Sequence, residues 1–360
     1  MNKKGKLIIA ISAAAVTAAA AVTAVITLNR EEKILKYDTV SQVIGNAGNV
    51  IGTEYENFTL PDTLSIDASG KLYNIKADLS RNCDKREKLT ELAQLMLPEQ
   101  ELSVTEEGAD CIIGKTDNAT IWYYDDSTFS YARKEHTVPE GQLKDGKKYI
   151  VGKDSLDDRF VLNGEEYSVR EAVEYAEDFA NEKLMPFLVN DSGVKAEAAC
   201  AFKVDEENYW IYVQLRHYID GCPVSTSGTA LLDEAFMRPQ QLIITFDGKN
   251  EICHIENNYY SNIIEKTEAE RIITLESALR YLEKQLAPGS SYIVSELSLC
   301  YCARVEDIGN DSFEYRPMWC LTVGRSTPDN TNIHPREIIY IDALDGKICC
   351  FDDAEMTFIF

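Results

Sequence analysis

The chain has 360 residues, 45 % of them hydrophobic, and carries 60 acidic against 36 basic side chains for a net charge of −24. Length and apolar content allow two or three domains with real cores. The charge argues against a nucleic-acid partner, because such a surface repels phosphates and releases no counterions. It equally argues against binding anionic lipid by anything except a true membrane segment.

Such a segment opens the sequence. Lys3, Lys4 and Lys6 precede the uncharged stretch Leu7–Leu28 (LIIAISAAAVTAAAAVTAVITL). At about 1.5 Å per residue, a helix of this length crosses a hydrocarbon core of about 30 Å. Residues 1–29 therefore read as a membrane anchor, with a signal peptide cut after Val22-Thr23-Ala24 as the alternative. In either case the lysines stay inside and the rest is expected outside the cytoplasm. The expected location is a single-pass protein of the cell membrane, or a secreted one after cleavage.

Residues 30–58 include "VIGNAGNVIG", whose glycines and asparagines read as a flexible stalk. Its glycine spacing lacks the Lys-Ser/Thr ending and the preceding strand of a phosphate loop, so no nucleotide cofactor is expected. Residues 59–150 read as a small α+β module. "KLYNIKADL" alternates as a strand, and "DKREKLTELAQLML" places Leu89, Leu92, Ala93 and Met96 at helical spacing before Pro98 stops it. "ATIWYYDDSTFSYARK" reads as two strands about a turn.

The remainder repeats itself. "SVREAVEYAEDFANEKL" and "TLESALRYLEKQLAPGS" carry the same apolar stripe, Val169, Ala172, Val173 and Ala176 against Leu275, Ala278, Leu279 and Leu282. Ser168 with Glu171 forms a capping box, and Thr274 stands at the equivalent N-cap. Each half closes on "LIITFDGKNEICHI" or "IIYIDALDGKICCF", so Asp247-Gly248-Lys249 aligns with Asp345-Gly346-Lys347 as hairpin turns. The expected fold class is α+β: a membrane helix, then tandem modules at 160–265 and 268–360, each a helix packed on an antiparallel sheet.

"LESALRYLEKQL … IIYIDALDGKICC" resembles the PepSY family, a small-residue helix followed by strands ending in a "YIDA-x-DGK" hairpin. "YVQLRHYIDGCPVSTSGTAL" is similar to the strand-turn-strand of related propeptide domains of secreted metalloproteases. The resemblance covers roughly the C-terminal 200 residues. It implies a non-catalytic extracytoplasmic module that inhibits a protease or regulates a membrane partner.

Candidate sites follow from strand parity. Along Trp210–Ile219, His217 falls on the apolar face with Ile211, Val213, Leu215 and Ile219. A core role for His217 and a turn role for Cys222 outweigh a nucleophile–base pair, which needs contact and a third orienting group. Trp210, Tyr212, Arg216 and Tyr218 share the other face, a composition suited to a protein partner. The alternative is that a neighbouring element covers them. The ten cysteines are not spaced as a disulfide framework. One cross-strand disulfide, Cys300 to Cys320, is conceivable if 307–312 is a hairpin loop, while free thiols are the main reading. Cys300, Cys302 and Cys320 fall one ligand short of a structural zinc site.

No motif for a metal, cofactor or known catalytic centre occurs. The expected function is non-catalytic binding or regulation of a membrane sensor, protease or envelope protein. The alternatives are a ligand-sequestering or structural envelope protein and a secreted enzyme of unrecognised type.

Overall fold

A computed structural model describes residues 35–352 except 63, 65, 67, 69, 79–83, 109, 125–127, 134–145, 189–191, 226–240, 259–261, 287–291, 305–311 and 326–336. The segment Leu7–Leu28 lies outside these residues, and among the described residues no helix is long and apolar enough to cross a membrane. Among the described residues, strand makes up 51 % and helix 22 %. The expected α+β series of tandem helix-on-sheet modules is therefore corrected to a mostly antiparallel β protein. The physical reason is strand recruitment: segments from the first 150 residues complete both large sheets.

The first sheet has ten strands. Its order runs Ser103–Glu107, Cys111–Lys115, Ala119–Tyr124, Phe129–Arg133, Glu251–Asn257, Leu242–Gly248, Tyr209–Ile219, Ser192–Lys203, Lys147–Ile150, with Cys222–Pro223 beside Tyr209–Ile219. The junction is the pairing of Phe129–Arg133 with Glu251–Asn257, in register from Phe129↔Asn257 to Ala132↔His254. Helices Lys85–Met96 and Val169–Phe179 share one core with this sheet, through Leu89, Leu92 and Ala93 and through Val169, Ala172, Val173 and Ala176. Asp84 caps the first helix, and Ser168 with Glu171 makes a complete capping box on the second.

The second sheet has seven strands. Tyr292–Arg304 pairs with Ser312–Arg325, which pairs at one end with Tyr73–Asp78 and at the other with Glu337–Asp342. Asn262–Glu268 borders Tyr73–Asp78, Ile348–Asp352 borders Glu337–Asp342, and Phe58–Thr59 joins Tyr292–Arg304 in parallel. Helix Leu275–Gln285 packs Leu275, Ala278, Leu279 and Leu282 into its core, with Thr274 as N-cap.

The stretch read as a flexible stalk is structured from Tyr37 onward. Tyr37–Thr39 pairs with Arg271–Ile273, and Thr39 caps helix Val40–Asn46, which runs on into a 3₁₀ turn at Ala47–Val50. Val40, Val43, Ala47 and Val50 are buried in the second core. Their spacing is helical; the intervening glycines and asparagines mask it.

One irregularity occurs twice. A bulge at Glu197 interrupts Ser192–Lys203 against Tyr209–Ile219, and another at Ser295 interrupts Tyr292–Arg304 against Ser312–Arg325. Ala201↔Ile211 then corresponds to Leu299↔Trp319, and Ile211↔Phe246 to Trp319↔Ile341. This register makes Asp342, not Asp345, the counterpart of Asp247. The turns differ too: Gly346 has φ 77°, whereas in the first hairpin Asn250 takes the positive φ of 58° and Gly248 stays in its strand.

Asp220 and Gly221 have φ of 49° and 78°, which makes them the two central residues of a type I′ hairpin. Alanine in that conformation costs roughly 1–2 kcal/mol. Gly221→Ala is expected to lower unfolding free energy by about that amount in urea titration. A loss of under about 0.3 kcal/mol would show that the turn does not set the strand crossing.

Candidate functional site

The two sheets meet at the end of Tyr209–Ile219. After the Asp220-Gly221 turn, Cys222 pairs with Ile219 and Pro223 with Tyr218. The chain then leaves the first sheet and docks on the second. Val224 bridges Tyr301 in parallel, and the Ser225 amide donates to the Tyr301 carbonyl at 2.7 Å. The Ser225 and Tyr340 hydroxyls lie 2.7 Å apart, and the Cys222 thiol is 3.9 Å from the Leu299 carbonyl. Ile219, Cys222 and Val224 belong to the second core although they continue a strand of the first sheet.

The bulge at Glu197 supplies one wall of this joint. An extra residue re-aims its side chain, which a regular strand would direct elsewhere. Glu197 Oε1 meets Arg216 Nη1 at 3.4 Å, and Glu197 Oε2 accepts from Gln214 at 3.5 Å. Arg216 Nε also donates to the Val224 carbonyl at 2.8 Å, so one guanidinium holds both the bulge and the crossing segment. Burial pushes the Glu197 carboxyl up and Glu296 adds to this, while Arg216 opposes them. Burial by itself would lower the Arg216 guanidinium; Glu197 and the thiols of Cys300 and Cys320 more than reverse it.

The opposite wall is sulfur-rich. Cys300, Cys302, Met318, Ile338 and Tyr340 form a buried cluster on the second sheet, with the partly exposed Cys320 at its margin. The Cys300 and Cys302 sulfurs are 3.8 Å apart, and Cys300 and Cys320 are hydrogen-bonded to each other. The hydrogen bond with Cys302 and burial raise the Cys300 thiol, while burial raises Cys302. All three are free thiols here. The register sets Met318 opposite Cys300 and Ser298 opposite Cys320, so the two cysteines of the conceived disulfide are diagonal neighbours, not a facing pair. Farther along the same face, Asp342 accepts from Arg304 at 3.2 Å and from Arg316 at 2.5 and 3.2 Å, and Asp345 accepts from both arginines. This network ties the closing hairpin to the long strand pair. Its counterpart in the first sheet is the Arg133–Asp247 ion pair.

The four residues expected to face a partner separate into two groups. Trp210 and Tyr212 are only 8 % and 6 % exposed and pack with Cys200, Phe202, Ile243 and Cys253. Arg216 and Tyr218 stand at the rim of the joint, where Lys195 lies over the Tyr218 ring at 4.5 Å. Glu197, Ser225, Tyr301 and Tyr340 were not singled out by sequence reasoning. The one available signal was the break in alternation where "KAEAAC" puts Ala198 and Ala199 side by side.

No family model matches the chain, and no curated protein matches it. Among solved structures, the crystal structure of an uncharacterized protein from Eubacterium rectale ATCC 33656 is similar, with a TM-score of 0.48. It is 15 % identical, and the match covers 85 % of this chain and 97 % of that one.

His217 is 1 % exposed, and burial lowers its imidazole to about 3. The unfolded chain, titrating near 6.5, thus binds the extra proton below that pH. Stability from this group is complete above about pH 6.5 and falls by roughly 1.4 kcal/mol per unit down to about pH 3. Denaturation at pH 7 and pH 5 is expected to show a loss of about 2 kcal/mol that shrinks in His217→Leu. An equal loss in both chains would remove His217 as the cause.

Proposed function

We propose that the chain is a non-catalytic binding protein that regulates a protein partner outside the cytoplasm. The observation that supports this most is the fate of its best-suited catalytic groups. His217 and Cys222, a base and a nucleophile by type, are packed into cores at 1 % and 0 % exposure. Burial keeps that imidazole uncharged, the opposite of tuning towards neutral pH for proton transfer. These side chains serve the joint between the sheets. The Lys-led apolar stretch Leu7–Leu28 supports export, and the PepSY-like pattern implies the same class of activity.

The partner surface in this reading is the rim of the joint, where Tyr218 and Lys195 offer an aromatic ring and a cation beside Arg216. Sheet edges are less suited. Asn262–Glu268 and Ser103–Glu107 both carry bulges, and Lys147–Ile150 is short and lysine-rich, all devices that discourage strand addition.

The test is crosslinked capture by the full chain from its native membranes, with Tyr218→Ala and Lys195→Ala alongside. A partner held by the wild type and weakened at least about tenfold by either variant supports the reading, since rim aromatics at true hot spots contribute 2 kcal/mol or more. Identical capture by all three proteins would sink it.

A further inference from the structure

We propose that Cys300, Cys302 and Met318 form a binding site for a soft monovalent metal ion of the copper(I) class. The argument starts from sulfur spacing. Diagonal neighbours across antiparallel strands hold their Cβ atoms near 7 Å, well beyond the roughly 3.5–4.5 Å that a disulfide needs. The same limit holds for Cys300 and Cys302, two residues apart on one extended strand. Covalent sulfur–sulfur bonds would therefore require the backbone to move. A bridging ion would not. With metal–sulfur bonds of about 2.3 Å, the observed 3.8 Å between Cys300 and Cys302 subtends about 110° at the ion.

That angle calls for a third donor, and the facing strand provides one. Met318 lies directly opposite Cys300 in the register, is 2 % exposed and belongs to the same buried cluster. The identity of the ion follows from the donors. Two thiolates and a thioether are soft donors, which select copper(I).

Charge also fits. Binding breaks two S–H bonds, forms two S–metal bonds and releases two protons to solvent, with no change of oxidation state. Two thiolates and one monovalent cation leave a single negative charge, and the Arg216 guanidinium lies within electrostatic reach of Cys300. Cys320, the partly exposed thiol hydrogen-bonded to Cys300, stands at the margin of the cluster. The inference is independent of whether a protein partner binds at the rim.

The test is an anaerobic competition between the reduced full-length chain in detergent and a chromogenic copper(I) chelator. One ion per chain is expected, with apparent affinity rising about 100-fold per pH unit because two protons leave. Cys300→Ser and Cys302→Ser should each weaken binding roughly 100-fold or more, since loss of even an outer partner costs about 10–100-fold. Met318→Leu conserves volume and so keeps the fold, and it should weaken binding roughly tenfold. X-ray absorption of the loaded chain should show sulfur neighbours alone. The proposal is overturned if Met318→Leu and Cys302→Ser compete as the wild type does. It is also overturned if Cys200→Ser or Cys253→Ser removes the ion, or if equimolar zinc displaces it.

Discussion

The joint between the sheets depends on one short segment: the four residues Cys222–Ser225 leave one sheet and bond to the other. With it, Ile219, Cys222 and Val224 are buried beside Leu299 and Tyr301. The backbone bonds Ser225–Tyr301 and Val224–His217 satisfy groups that the crossing would otherwise strand. A type I′ turn is what makes this geometry accessible. Its positive φ at Asp220 and Gly221 lets the chain reverse within two residues, so the returning segment stays close enough to Arg216 to be held by it.

The Glu197 bulge and the Arg216 side chain act together at this point. A partly buried carboxylate and a partly buried guanidinium each cost desolvation, and their pairing offsets that cost only while both stay in place. Here the guanidinium has a third role, since it accepts the field of the thiol cluster opposite. The joint is thus specified by polar geometry, while apolar burial on either side supplies the bulk of the stability. The same division recurs at the hairpins. Asp247 and Asp342 are buried at equivalent register positions, one paired with Arg133 and the other with Arg304 and Arg316.

Local features were legible in the sequence and long-range pairing was not. The helix stripes, the Ser168–Glu171 capping box, the Thr274 cap and the Asp220-Gly221 turn all follow from residues within a few positions of one another. Which strand lies beside which does not, because alternation fixes a face and says nothing about a neighbour. Hence alternation assigns Phe129–Arg133 to a separate module, whereas it completes the first sheet against Glu251–Asn257. The Asp-Gly-Lys alignment failed for a related reason: matching residue types placed Asp345 with Asp247, while hydrogen-bond register placed Asp342 there. At the candidate site, parity groups Trp210, Tyr212, Arg216 and Tyr218 on one face. It could not reveal that Trp210 and Tyr212 on that face are covered.

Both sheets carry a bulge at an equivalent place, and the walls beside the two bulges differ. Each sits four residues before the pair that anchors its sheet, Ala201↔Ile211 or Leu299↔Trp319, and each adds twist at the same height. In the first sheet the bulged residue is a glutamate and the neighbouring face carries Cys200, Tyr212 and Gln214. In the second it is Ser295, and the face carries Cys300, Cys302 and Cys320. Turning one glutamate towards Arg216 and three thiols towards the same space needs no change of backbone, only of side chains at equivalent positions. The joint is thereby asymmetric, charged on one wall and soft on the other.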